Sequence, residues 1–140
     1  MANPPIPAPA GSPPGAGEGI LLIDDEDWVR DALGATLTRC GYRVIKAASS
    51  GEGLGIVESH GAEISLVLTD MVMPNGGGLE FIAELRRRNV RLPVVAMSGL
   101  AGTGRFDREL RAQGVPLLGK PITREVLIGA VQDALRRAAG

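Results

Sequence analysis

Five polar side chains in this sequence stand directly behind apolar runs. Asp24 and Asp25 follow Ile20-Leu21-Leu22-Ile23, and Asp70 follows Leu66-Val67-Leu68-Thr69. Ser98 follows Pro93-Val94-Val95-Ala96-Met97, and Lys120 follows Pro116-Leu117-Leu118-Gly119. Carboxylates gathered at one point repel one another unless a cation sits among them. A Mg2+ ion held by one or two carboxylates, a backbone carbonyl and waters suits such a cluster. A metal beside a carboxylate makes it a workable nucleophile towards phosphorus, and a lysine and a hydroxyl can hold phosphoryl oxygens. Asp70 is the centre of that chemistry. The chain after it, Pro74 with Asn75-Gly76-Gly77-Gly78, cannot continue a strand and reads as a loop. Any one of these residues alone is ordinary strand-end punctuation; the set of them is not.

For these groups to meet, their strands must lie side by side and point the same way. The first strand spans residues 20–23, and an amphipathic helix follows over 27–40. Asp27 reads as its N-cap and Gly41 as the residue just past its end. A second strand covers 42–47, a second helix 50–60, and the central strand 64–69. Leu79, Phe81, Ile82 and Leu85 mark a third helix that ends in Arg86-Arg87-Arg88. A fourth strand at 93–97, a glycine-punctuated helix at 105–113, a brief fifth strand at 116–118 and a last helix at 123–137 complete the chain. Strands alternating with helices imply an α/β fold, a doubly wound, flavodoxin-like parallel sheet of five strands with five helices. The commonest order for such units is 2-1-3-4-5, which sets the first and third strands together at the switch point.

At 140 residues, 44% of them hydrophobic, the chain fits one domain with a real core. The expected division is a flexible Pro/Ala/Gly-rich tail over 1–19 and one domain over 20–138. A net charge of −1 offers no long-range attraction to nucleic acid or anionic membrane. Aromatic content of 3% provides no base-stacking surface. With Cys40 as the one cysteine no internal disulfide can form, no apolar run reaches membrane length, and a cytoplasmic setting is expected.

The arrangement resembles the receiver domain of bacterial two-component response regulators, from about Ile20 to Arg137. The resemblance rests on the acidic pair in Ile23-Asp24-Asp25-Glu26, on Asp70-Met71-Val72-Met73-Pro74 with Gly78, on Met97-Ser98-Gly99 and on Gly119-Lys120-Pro121. It implies that Asp70 is the phospho-acceptor, charged by a phosphohistidine on a sensor kinase or a histidine phosphotransfer protein. It implies that Asp24, Asp25, Asp70 and the Val72 carbonyl hold Mg2+, that Ser98 is a switch hydroxyl and that Lys120 pairs with carboxylate or phosphoryl oxygens. In such domains the peptide at Lys120-Pro121 is typically cis. Such a domain also catalyses its own dephosphorylation, and Glu26 and Val72 should line the path of attacking water.

Three departures bear on the output. Leu117 stands where the family usually has Tyr or Phe, so the usual aromatic swing has no ring to use. Gly77 replaces a commonly acidic residue, which predicts a looser loop, and the glycine-rich stretch 99–104 should be mobile. No output domain follows Arg137 in the sequence, so action by contact with a partner protein is expected, either from a stand-alone receiver or from one excised from a hybrid kinase. A second reading is a haloacid-dehalogenase-type phosphatase with Asp25 as nucleophile in Asp25-Glu26-Asp27, but it leaves Asp70 without a role. Trp28 is read as a surface aromatic or a docking anchor for the kinase, and Arg86-Arg87-Arg88 with Arg91 as dipole complements or an anion site. His60 reads as a solvated end residue and Cys40 as core.

Overall fold

In the computed structural model, residues 14–74, 77–88, 90–100 and 103–139 are described. Their order is β1 (Gly19–Ile23), α1 (Asp27–Arg39), β2 (Arg43–Ala47), α2 (Ser50–His60), a 3-10 turn (Gly61–Glu63) and β3 (Leu66–Asp70). Then come α3 (Gly78–Arg87), β4 (Val94–Ser98), α4 (Asp107–Ala112), β5 (Leu117–Gly119) and α5 (Arg124–Ala139). The sheet order is β2-β1-β3-β4-β5, and every pairing is parallel. The expected fold class is the observed one.

All residues of β1, β3 and β4 are buried, because helices cover both faces of the sheet. Alternation along a strand sorts the side chains to those two faces. Ile20 and Leu22 pack with Leu33 and Leu37 of α1 and with Leu127 and Val131 of α5. Leu21 and Ile23 face the other way, to Val57 of α2 and Phe81, Ile82 and Leu85 of α3. The register pairs Ile23 with Thr69, Asp70 with Met97 and Ser98 with Gly119. The residues that follow these positions therefore emerge at one edge.

Several boundaries differ from the sequence reading. β3 starts two residues late, after the 3-10 turn, and includes Asp70. Asp27 is the first helical residue of α1 rather than its cap; Glu26 holds the cap position without a side-chain capping hydrogen bond. The Asp27 carboxylate instead meets Arg30 at 2.5 Å, one turn on. Gly41 does sit just past the helix, at φ +95, where a Cβ would be strained.

The tail expected over 1–19 lies outside the described residues for 1–13, but Gly15 and Gly17 pack against the fold and Gly19 already belongs to β1. The Gly15 amide donates to the Cys40 carbonyl at 2.7 Å, and Gly17 donates to Gly41 at 2.8 Å. A Cβ on Gly15 would lie 2.7 Å from the Tyr42 ring, so the absence of a side chain is what permits this contact. In the 99–104 stretch, residues 101 and 102 are outside the description, and Thr103 closes a turn by donating to the Leu100 carbonyl. Cys40 is buried as expected and His60 is exposed.

Candidate functional site

The carboxyl edge of the sheet gathers the acids that the sequence singled out. One carboxylate oxygen from each of Asp24, Asp25 and Asp70 lies within 4.8 Å of the others. Lys120 Nζ reaches in from the end of β5, 3.0 Å from Asp24 Oδ2 and 3.3 Å from Asp70 Oδ2. Asp24 is fully buried, Asp70 nearly so, and Asp25 is half-buried. Asp24 is held from several sides: Glu26 N–H donates to its Oδ1 at 2.9 Å, and Arg30 Nη1 donates to its backbone carbonyl at 2.7 Å.

Asp70 is placed by the loop after it as much as by β3. The Val72 N–H donates to Asp70 Oδ1 at 3.4 Å, and the buried Thr69 hydroxyl donates to the Asp70 carbonyl at 3.0 Å. The Gly78 amide donates to the Met71 carbonyl at 3.2 Å and folds the loop back onto α3. The looser loop expected from Gly77 is not observed at that residue. Its amide donates to Glu80, its carbonyl accepts from the Ser50 hydroxyl, and a Cβ there would lie 2.7 Å from the Met71 carbonyl oxygen. Gly77 is tight because backbone crowds it; residues 75 and 76 lie outside the description.

Ser98 lies fully buried at the end of β4, and its Oγ accepts from the Leu100 N–H at 2.9 Å. Its backbone carbonyl accepts from the Lys120 N–H at 3.0 Å, so the ends of β4 and β5 are tied together. The Lys120-Pro121 peptide is cis. Leu117, in place of the family's aromatic, is half-buried against the core on the α2–α4 side.

Burial holds the Asp70 carboxyl above the ordinary carboxylate range, opposed by the positive charge of Lys120 and reinforced by the negative charge of Asp24. For Lys120, burial alone would lower the pKa, but its hydrogen bond to Asp24 and the charges of Asp70 and Asp24 raise it above 10.5. A raised folded-state pKa contributes stability below the unfolded value that is lost as pH rises through the folded one. Thermal stability should therefore decline above pH 10.5 through Lys120, and from pH 10.0 through the buried Tyr42 phenol, which burial also raises. In Lys120→Met the decline should be shallower, because only the Tyr42 part remains; equal slopes in the two proteins would show that Lys120 contributes nothing.

Two contributors were not found from sequence. Arg30 carried a faint signal, its three-residue spacing from Asp27, whereas its reach to the Asp24 carbonyl depends on how β1 feeds α1. Thr69 carried none, since a strand threonine is unremarkable until its hydroxyl direction is known.

A family model for the response regulator receiver domain matches residues 20–132. The chain belongs to that family: it is a receiver domain of two-component signalling. It is 35% identical over 119 residues to the sensor kinase CckA of Brucella abortus, which covers 84% of this chain and 12% of that protein. It is 32% identical over 123 residues to the transcriptional regulatory protein GlrR of Escherichia coli, 86% of this chain and 27% of that one. The chain thus spans a small part of these curated relatives. Among solved structures, it resembles the receiver domain of the hybrid histidine kinase CckA, with a TM-score of 0.70, 32% identity, and coverage of 84% of this chain and 98% of that one. A receiver domain protein from Clostridium thermocellum gives a TM-score of 0.76 at 31% identity, covering 86% of this chain and 96% of that one. Among the described residues no helix is long and apolar enough to cross a membrane.

Proposed function

We propose that Asp70 accepts a phosphoryl group from a phosphohistidine on a sensor kinase or phosphotransfer protein, within a unit spanning 20–138. The observation that carries this reading is the placement of Lys120 Nζ against both Asp24 and Asp70, with Asp25 in the same group. An all-oxygen, hard donor set of this kind fits Mg2+, held by Asp24, Asp25, Asp70 and the Val72 carbonyl. The ion supplies charge neutralisation for the phosphoryl oxygens.

A carboxylate oxygen of Asp70 attacks the phosphorus, forming an O–P bond as the P–N bond to imidazole breaks, and the leaving nitrogen takes up a proton. Lys120 holds a phosphoryl oxygen in place of its present contact to Asp70. The Ser98 hydroxyl turns towards the phosphoryl group, and that turn frees the Leu100 N–H from its hydrogen bond. The segment after β4 is thereby coupled to the charge on Asp70 and offers a changed surface to a downstream protein, in the cytoplasm. Loss of the phosphoryl group is by water attacking the same phosphorus, along a path lined by Glu26 and Val72.

The experiment is to incubate the protein with Mg2+ and acetyl phosphate, or with beryllofluoride, and to map the adduct. An adduct on Asp70 supports the reading; an adduct elsewhere, or none, overturns it. Melting temperature should also rise in millimolar Mg2+, and an unchanged value removes the metal site. The phosphatase reading is not favoured. Its Asp27 carboxylate is 85% exposed and engaged with Arg30, and Asp133, a candidate for the acidic residue such enzymes carry after the lysine, is paired with Arg136 and Arg137 on α5.

Trp28 is 72% exposed and lines, with Val29, Pro121 and Ile122, a mostly apolar groove beside Lys120. An exposed aromatic at the mouth of the site is suited to anchor the donor's helices. Trp28→Ala should slow transfer from a phosphohistidine donor about tenfold and leave labelling by acetyl phosphate unchanged. Equal slowing of both would place Trp28 in the chemistry rather than in docking.

A further inference from the structure

At the opposite, amino-terminal edge of the sheet lies a cavity of about 480 Å3 between the C-terminal ends of α3 and α5. Arg86, Arg91 and Arg137 line it, and among the described residues no carboxylate does. The floor is aliphatic, made by Val90, Leu92 and Val115 with flanking prolines. The three consecutive arginines of the sequence divide here. Arg87 and Arg88 are both spent on Glu84. Arg86 turns the other way and, among the described residues, donates to the Val90 carbonyl at 3.5 Å. Among the described residues neither Arg86 nor Arg91 has a carboxylate within ion-pair distance, while Arg137 is paired with Asp133 at 2.9 Å. Simple complementing of the α3 dipole accounts for Arg86 but not for Arg91, which lies beyond the helix, nor for a concave aliphatic floor between the two cations.

We propose that this cavity binds a small organic anion with an aliphatic body, its carboxylate or phosphate held by Arg86 and Arg91. The volume is in the range of small-molecule sites, roughly 300–1,000 Å3. Forked guanidinium donors match a planar carboxylate or a phosphate. The floor has no aromatic ring on which a nucleobase could stack, so a fatty or branched-chain acid fits better than a nucleotide. β4 runs from Val94 at the cavity to Ser98, about 13 Å away at the usual rise per residue. The site is thus physically connected to the acidic edge, yet its occupancy needs neither Mg2+ nor Asp70.

The test is titration of the isotopically labelled protein with octanoate, followed by amide chemical shifts, with octanol and inorganic phosphate as separate arms. Saturable shifts confined to Val90, Leu92, Val94 and Val115, with a dissociation constant in the millimolar range, are expected on the order of what a ten-atom ligand can achieve. Arg86→Gln and Arg91→Gln should each weaken octanoate about fivefold, as for exposed charge pairs, with α1 amides unmoved. Octanol binding as well as octanoate would overturn the assigned charge recognition, and phosphate binding as well would overturn the role of the aliphatic floor. Binding unchanged in both arginine variants, or no saturable shift, would reduce the arginines to helix-end complements.

Discussion

Asp70→Asn should abolish phosphoryl acceptance, at least about 10^3-fold, since an amide oxygen is no substitute for a carboxylate nucleophile. The same change should make the metal-free protein more stable at neutral pH. Asp70 is almost fully buried, and its charge faces that of Asp24 across Lys120. One lysine cannot satisfy both carboxylates, and Asp25 adds a third. Asparagine keeps the shape and an acceptor for the Val72 N–H while removing the charge, so Lys120 is left to pair with Asp24 alone. A gain of about 1 kcal/mol, near 3 °C in melting temperature, is the expected size.

The pH dependence gives the sign independently. With its folded pKa raised above 3.8, Asp70 contributes stability below that value and loses it as pH rises through the folded one. The advantage of the asparagine variant should therefore be present at pH 7 and vanish below about pH 3.8, where aspartate is neutral in both states. Mg2+ should reverse the ranking in part, because it stabilises the wild type more than a variant with one ligand fewer. Thermal melts of both proteins across pH, with and without Mg2+, measure all of this. A variant less stable than the wild type at pH 7 without metal would mean that Lys120 over-compensates the cluster.

The opposition between the proposed role of Asp70 and its cost in stability explains why so much of the candidate site was legible from sequence. Carboxylates that repel each other at the ends of buried strands are costly, and the cost makes them conspicuous against the apolar runs Ile20-Leu21-Leu22-Ile23 and Leu66-Val67-Leu68. Lys120 was visible for the same reason, as the cation such a cluster requires. What could not be read was anything decided by backbone reach. Asp27 looked like a cap, but Arg30 competes for its carboxylate once the helix forms. Gly15 and Gly17 looked like tail, because composition does not record that a side-chain-free backbone can lie against Tyr42 and bond to Cys40 and Gly41. Gly77 looked like slack, and the Met71 carbonyl makes it a tight position. The glycines were read by their flexibility, whereas at these positions their use is their lack of volume.

Gly78 is where that use matters most for the chemistry, and Gly78→Ala should cost about 3 kcal/mol of stability. The residue opens α3 with its amide bonded to Met71, and a Cβ there would lie 2.8 Å from the Asp70 carbonyl oxygen and 2.5 Å from Met71 Sδ. The Met71 side chain can swing aside, but the Asp70 carbonyl belongs to the end of β3, and Asp70 pairs with Met97 on β4. The clash is relieved only by moving α3 away or by twisting the Asp70 peptide. The second route displaces the Asp70 carboxylate from Lys120 and the other acids, and a shift of about 1 Å at a reacting group costs on the order of 10^2-fold in rate. Labelling by acetyl phosphate in the folded variant should fall by about that factor. Gly55→Ala is the matched control: Gly55 lies in α2 with nothing within 4 Å of an added Cβ, so alanine should stabilise by about 0.5–1 kcal/mol and leave labelling unchanged. Equal effects of the two substitutions would mean that backbone flexibility, not space beside Asp70, is what the loop requires of glycine.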